Sequence, residues 1–394
     1  MFDLSAVQST LAEFDIDGWL LYDFRQSNVL ARRVLNMNPE EIGSRRWLYC
    51  IPQNGSPKKL VHRIEPAALD HLPGDKQVYL AWQEFEAGIG DLLQGLGKVA
   101  MEYSPRNGNP YISQVDGGTI DVVRDCGVQI VPSGDLIQRF EATWSDEQWQ
   151  MHQAAEEQTT AAFAVAWDFI CEQTRDGGET REATVQQQIM DHFQRQDLLT
   201  NHPPIVAVGP HSSDPHYAPV AGQDSPIRNG DFVLIDLWAK LNRPNSVYSD
   251  LTRVAYVGSE VPSVYNKIFK IVASARDAAI EKVQQGMVSD DPLHGWEVDR
   301  ACRQVIEEAG YGEYYVHRTG HSIGQETHGN GANMDDLETR EDRRVLPSTC
   351  FSIEPGIYLP EFGVRSEVNV FIGSDRTVHV TGGPLQLEVL ALHA

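Results

Sequence analysis

The stretch from Asp231 to Val257, DFVLIDLWAKLNRPNSVYSDLTRVAYV, carries the strongest structural signal in the chain. It predicts two strands joined at NRPN, each with a carboxylate inside it. A turn centred on Arg243 sets Asp236 opposite Asp250 with both side chains on one face. Directly opposed Cβ atoms lie roughly 4.5–5.5 Å apart. Two buried carboxylates at that separation repel, and they stay ionised only with positive charge between them. A shared proton supplies some of it, and a divalent cation supplies more.

Further along the chain, CFSIEPGIYLPEFGVRSEVNVFI, residues 350 to 372, repeats the arrangement. With its centre between Pro360 and Glu361, Glu354 comes opposite Glu367. Between the two hairpins lies HRTGHSIGQETH, which holds His317, His321 and His328 among glycines. Four carboxylates with one imidazole, and no cysteine, suit Mn²⁺, Co²⁺, Fe²⁺ or Zn²⁺. Five such ligands exceed what one divalent ion needs, so two ions bridged by carboxylates are expected. That is a hydrolytic arrangement, in which a water between the cations loses a proton near neutral pH and becomes the nucleophile.

Composition narrows the class. A chain of 394 residues, 41% of them hydrophobic, can bury a full core and is expected to form two domains. Its 32 basic against 56 acidic residues give a net charge of −24, which argues against a nucleic-acid or anionic-membrane surface. The cysteines Cys50, Cys126, Cys171, Cys302 and Cys350 are far apart and read as reduced thiols. The first residues carry acids where a signal peptide needs a basic region, and no apolar run reaches the roughly 18 residues of a membrane span. A soluble, cytoplasmic protein is the expectation.

Residues 1 to about 140 alternate helical and strand signals: Leu4 to Phe14 has helical spacing, and GWLLYDF, RRWLYCIP, KQVYLAW, KVAMEY and VQIVPS read as strands. No nucleophile-type or metal-type cluster stands out there, so this part is expected to shape a cleft or a dimer contact. Near residue 143 the character changes. Ser145 with Gln148 makes a capping-box pattern that opens a helix to about Glu172. Further helices are expected at about 181 to 195, 262 to 285 and 295 to 309, the last stopped by Gly310. The stretch DDLETREDRR, 335 to 344, reads as a solvated loop, and His202, His211 and His294 as surface or loop residues, with His211 close enough to His216 in sequence to line a substrate site.

The strings IDLW, YSDLTR, TGHSIG, SIEPGIY and GVRSE around the five positions resemble the creatinase and aminopeptidase P superfamily of pita-bread metallopeptidases, which includes methionine aminopeptidase and prolidase. The likeness covers about 145 to 394 strongly and the remainder in outline. It implies an α+β architecture: a pita-bread domain with pseudo-two-fold symmetry over 143–394, preceded by a smaller creatinase-like α/β domain over 1–142. It further implies a dinuclear exopeptidase acting on a small peptide, with the Xaa-Pro bond as the favoured target, Mn²⁺ the leading metal ahead of Co²⁺, Zn²⁺ or Fe²⁺, and a homodimer. Asp236 would chelate one ion, His321 and Glu354 the other, and Asp250 and Glu367 would bridge both. Glu354 would also be the general base. His216, in DPHYAP, and His328 would face the substrate, His317 would match a further cleft histidine, and Arg365 and Tyr358 would organise the metal surroundings. The alternative on the same scaffold is a creatinase-like C–N hydrolase or a metal-dependent lyase. The chain departs from the family pattern in three places: the two aspartates stand further apart than usual, VNV after Glu367 lacks the acidic residue that often follows, and Ser322 is small where aminopeptidase P carries an aromatic.

Overall fold

The computed structural model describes residues 2–40 and 43–393. The chain divides between Glu141 and Ala142 into two compact units. The first is built on Gly18–Asp23, whose six residues are all buried. Successive side chains of a strand go to opposite faces, and here Trp19 and Leu21 enter one apolar cluster while Leu20 and Tyr22 enter another. Being covered on both faces, the strand reads as an unbroken apolar run. It sits inside a six-stranded mixed sheet of order Asp75–Tyr79, Lys58–His62, Trp47–Pro52, Gly18–Asp23, Lys98–Met101, Gln129–Pro132. The unit is α/β, as expected. Lys58–His62 is an addition to the strands anticipated, since its two lysines mask the pattern.

In the second unit, helix Asp146–Gln173 starts at the anticipated capping box: the Gln148 N–H donates to Ser145 Oγ at 3.2 Å and the Ser145 N–H to Gln148 Oε1 at 3.0 Å. Helices Glu182–Arg195, Ser263–Val288 and Gly295–Glu308 follow, and Gly310 takes φ +85 just past the last. The order helix, helix, hairpin occurs twice, which is the pseudo-two-fold arrangement of the pita-bread fold.

Alternation along the first hairpin, Phe232–Leu241 with Ser249–Tyr256, positions the site. The odd residues Val233, Ile235, Leu237 and Leu251 pack with Ala162, Ala166, Val185 and Ile189 of the first helix pair. The even residues Phe232, Leu234 and Val254 pack instead with Phe351, Ile353, Val368 and Val370 of the second hairpin and with the second helix pair. Asp236, Asp250 and Thr252 are even, so the face that buries Phe232 and Leu234 also carries the carboxylates towards the second hairpin. A one-residue slip would turn Asp236, Asp250 and Thr252 into the apolar cluster on the other face.

Two expectations are corrected. In the first hairpin Asp236 pairs with Thr252, and Asp250 with Trp238, so the aspartates are diagonal neighbours and not directly opposed. The cause is the turn: Pro244 and Asn245, the latter with φ +60, occupy the middle of Arg243–Ser246, closed by the Ser246 N–H on the Arg243 carbonyl. Asn accepts the left-handed conformation that the third position of such a turn requires. The displacement of the register is even, so both aspartates keep the same face. The stretch 335–344 is a loop, as expected, but only partly solvated: Leu337, Glu338, Arg340 and Asp342 are exposed while three charged residues are buried. Asp335 and Glu341 are fully buried. Asp335 accepts the N–H groups of Leu337, Glu338 and Thr339, and Glu341 pairs with the buried Arg343. Backbone N–H groups serve Asp335 and a guanidinium serves Glu341, which is how the two acids tolerate burial, while Asp336 pairs outside the segment with Arg300.

Candidate metal centre

The second hairpin holds its anticipated register, with Ile353 opposite Val368 and Gly356 opposite Arg365, so Glu354 and Glu367 face each other between those pairs. His321 follows Gly320, where a Cβ would lie 1.9 Å from the Ser352 carbonyl oxygen. Only glycine allows that approach, and it brings the His321 N–H to Ser352 Oγ at 3.0 Å.

These elements converge. Asp250, His321 and Glu367 place one donor atom each within 4.8 Å of one another, and all three are buried. His321 Nε2 lies 3.5 Å from Asp250 Oδ2 and 3.4 Å from Glu354 Oε1. Thr252 Oγ1 stands 2.8 Å from both Asp236 Oδ1 and Glu367 Oε2. Three of the five positions thus meet directly, Glu354 adjoins them through His321, and Asp236 is linked to Glu367 through Thr252.

The electrostatics describe a site short of positive charge. Burial, then repulsion from Asp236 and Glu354, pushes Asp250 well above the usual carboxylate range, and burial with Asp250 and Glu354 does the same to Glu367. Burial alone would raise Glu354 too, but His321, His317 and Arg365 outweigh it and hold its carboxyl below the ordinary value. Arg365 stays charged: burial opposes that, and Asp236 and its neighbours more than offset it. His321 is held below its ordinary value, chiefly by burial, and is neutral near pH 7. Its Nδ1 meets the Ser322 carbonyl at 3.2 Å. A carbonyl only accepts, so the proton is on Nδ1 and the Nε2 lone pair points at two carboxylates. Similarly, the single proton of Thr252 cannot serve two carboxylate oxygens. A lone pair aimed at acids, and acids crowded together, are both relieved by a cation, and oxygen donors with one imidazole suit a divalent one.

Around this point Arg365 donates from Nη2 to Asp236 Oδ2 at 2.5 Å, from Nε to Thr252 Oγ1 at 3.0 Å and from Nη1 to the Tyr358 hydroxyl at 3.0 Å. Tyr358, pushed up to about 12 by burial, donates in turn to His317 Nε2 at 2.7 Å, since His317 Nδ1 is committed to the Arg318 carbonyl. The His328 ring meets His321 edge-on, centroids 4.4 Å apart, and His321 together with burial lowers its pKa to about 4. His216 is exposed; its N–H donates to Asp214 Oδ1 at 2.9 Å, and it is near enough to His328 to help depress that ring's pKa. His211, anticipated as a surface or loop residue, lies in the turn Gly209–Ser213, half-buried and bonded to Glu182.

The sequence profile of metallopeptidase family M24 matches residues 150–374. The chain belongs to that family. Among curated M24 relatives it is 35% identical over 187 residues to the probable dipeptidase PepE of Mycobacterium tuberculosis, 47% of this chain and 46% of that one. It is 32% identical over 214 residues to the Xaa-Pro dipeptidase of Lactobacillus delbrueckii, 54% of this chain and 52% of that one. The chain thus spans about half the length of the curated relatives it matches. The crystal structure of dipeptidase PepE from Mycobacterium ulcerans superposes with a TM-score of 0.65 at 21% identity, covering 99% of this chain and 97% of that one, a likeness of fold.

Four further residues of this M24 chain bear on the centre and escape a motif reading. Thr252, between Asp236 and Glu367, is one. Ser352 Oγ donates to Glu354 Oε1 at 3.1 Å. The side chain of Asn369 brackets the Asp250 backbone, its Oδ1 accepting the N–H at 3.0 Å and its Nδ2 donating to the carbonyl. Asn369 is the middle residue of VNV, and it anchors the aspartate where an acid is missing. Arg253 donates to the Glu367 carbonyl at 2.6 Å. The signal that could have found three of these is the two-residue period of a strand: Thr252, Ser352 and Asn369 each stand two positions from an acid on the same strand face.

Proposed function

We propose that this chain is a metal-dependent exopeptidase that removes an N-terminal residue, with the Xaa-Pro bond as its preferred target. The observation that carries the reading is the neutral His321, its Nε2 lone pair directed at the carboxylates of Asp250 and Glu354 beside Glu367. The names of the relatives, dipeptidase and Xaa-Pro dipeptidase, support the substrate class.

Asp236, Asp250, His321, Glu354 and Glu367 would hold two divalent ions, with Mn²⁺ first among the metals that suit such donors. Bound there, the metal supplies acidification of a water and polarisation of the scissile carbonyl. The rest falls to the chain's own groups. Glu354, whose carboxyl His321, His317 and Arg365 hold low, accepts the proton of the attacking water and returns it to the departing nitrogen. His328 and His216 present N–H donors to the carbonyl oxygen as it gains charge. The Arg365–Tyr358–His317 relay fixes Asp236 on one side and orients the His317 ring on the other.

Chelated protein, reloaded with Mn²⁺, Co²⁺ or Zn²⁺, tests this on Xaa-Pro dipeptides, Xaa-Pro-Yaa tripeptides and Met-peptides. Metal-restored cleavage of the dipeptides alone assigns a dipeptidase, and of the tripeptides an aminopeptidase. Metal binding with no cleavage of any of them overturns the peptidase reading.

A further inference from the structure

We infer that Glu182 is a positioning residue for His216, fixing the irregular segment that carries it; the inference rests on the substrate-facing role proposed above for His216. Glu182 opens helix Glu182–Arg195 and is fully buried. Its carboxylate accepts four donors, and all four come from the chain between Val208 and Ser225. The N–H of Val208 reaches Oε1 at 2.8 Å, His211 Nδ1 reaches Oε1 at 2.9 Å, the Tyr217 hydroxyl reaches Oε2 at 2.6 Å and the N–H of Ser225 reaches Oε2 at 2.8 Å. One side chain thus grips both ends of the segment and two points between them.

The segment needs that grip. Apart from the short turn Gly209–Ser213 it forms no helix or strand, and only scattered backbone bonds, such as the Tyr217 N–H to the Asp214 carbonyl at 3.1 Å, help to set its path. Tyr217 is the residue next to His216, and its ring stacks on His211 with centroids 4.3 Å apart. With the hydroxyl of residue 217 anchored to a buried carboxylate, the adjacent Cα is held and the imidazole of His216 has only its own rotamers left to vary. The same segment is tied to the second hairpin, where Ser212 Oγ accepts the Gly363 N–H at 2.8 Å and Ser213 Oγ donates to the Leu359 carbonyl, close to Tyr358 and Arg365. Glu182 touches none of the five carboxylate and imidazole donors, and its effect on the reaction passes through His216.

A neutral amide cannot replace this carboxylate. Whichever way the amide of a Glu182→Gln variant flips, its NH₂ meets the backbone N–H of either Val208 or Ser225, donor against donor. Glu182→Gln should loosen the segment and slow the reaction by up to about 100-fold. Tyr217→Phe, which keeps the stack on His211 and loses one bond, is the milder variant should Glu182→Gln fold poorly.

The test is a double-mutant cycle on metal-loaded protein, with kcat and KM for a cleaved Xaa-Pro peptide, bound metal, and amide hydrogen exchange of residues 208–225 as readouts. The expected result is that Glu182→Gln and Tyr217→Phe lower kcat with metal content unchanged and speed exchange in 208–225. In a His216→Ala background either change should cost less than about twofold more. Equal losses in both backgrounds, or unchanged exchange, would overturn the inference while leaving the function of His216 standing. A His216→Ala protein as fast as wild type would remove the role of that histidine, and the inference with it.

Discussion

Replacing Thr252 by Val probes the centre with little disturbance elsewhere. Thr252 is fully buried, and Val matches its shape and its preference for a strand, so packing and backbone are kept. What is lost is one hydroxyl that lies 2.8 Å from Asp236 Oδ1, 2.8 Å from Glu367 Oε2 and 3.0 Å from Arg365 Nε. Having one proton, it donates one bond to a carboxylate and accepts one from the guanidinium. A hydrogen bond to a charged group contributes about 1.5–3 kcal/mol. If that orientation is what holds Asp236 and Glu367 in place for a cation, divalent-metal affinity should fall about 10- to 100-fold, the range usual for groups that orient ligands. Titration calorimetry with Mn²⁺ on chelated protein measures it directly, and the unfolding free energy of the metal-free protein serves as control. A variant that binds Mn²⁺ within about twofold of wild type, far short of that range, would reduce the hydroxyl to a spacer between two strands.

Three further outcomes follow. Asp250→Ala should abolish tight metal binding and activity, yet leave the metal-free protein at least as stable to heat, since burial and repulsion from Asp236 and Glu354 already burden that carboxyl; an active variant would sink the site. Tyr358→Phe strands His317 Nε2 and Arg365 Nη1 and should cost about 1–3 kcal/mol in urea unfolding, so an unchanged midpoint would contradict the relay. His152 is buried, lies 2.8 Å from the Tyr248 carbonyl, and has its pKa lowered to about 4 by burial. A group held below its unfolded value of 6.5 contributes stability that is complete above that pH and is lost as pH falls through about 4, here about 3 kcal/mol. Wild type should lose that much more than His152→Gln between pH 7 and 4, and parallel losses would contradict the assignment.

Much of the second unit is legible in the sequence because its signals are local. The capping box at Ser145 and Gln148, the stop at Gly310 and the register of the second hairpin all depend on residues a few positions apart, and all three appear in the structure. The first hairpin misleads through its turn: counting from Arg243 ignores that Asn245 takes a positive φ and moves the closure along the chain. In 335–344 charge goes with exposure at Glu338, Arg340 and Asp342 but misleads at Asp335 and Glu341, which find their donors within a few residues. Glu182 is not legible at all. Its partners lie 26 to 43 residues away, and nothing in ETREAT marks one glutamate as buried.

The acids of this centre come from two β-ribbons that fold against different helix pairs, and Thr252 and Glu367, which share a hydrogen bond, are 115 residues apart in sequence. Contacts of such high order form late, because a long loop must close before anything rewards it. A cation bound there would act as a clasp between halves: each half alone offers two acids, and tight capture would wait until both have docked. Metal uptake during refolding should trail the recovery of helical signal, and excess metal should slow unfolding more than it hastens folding.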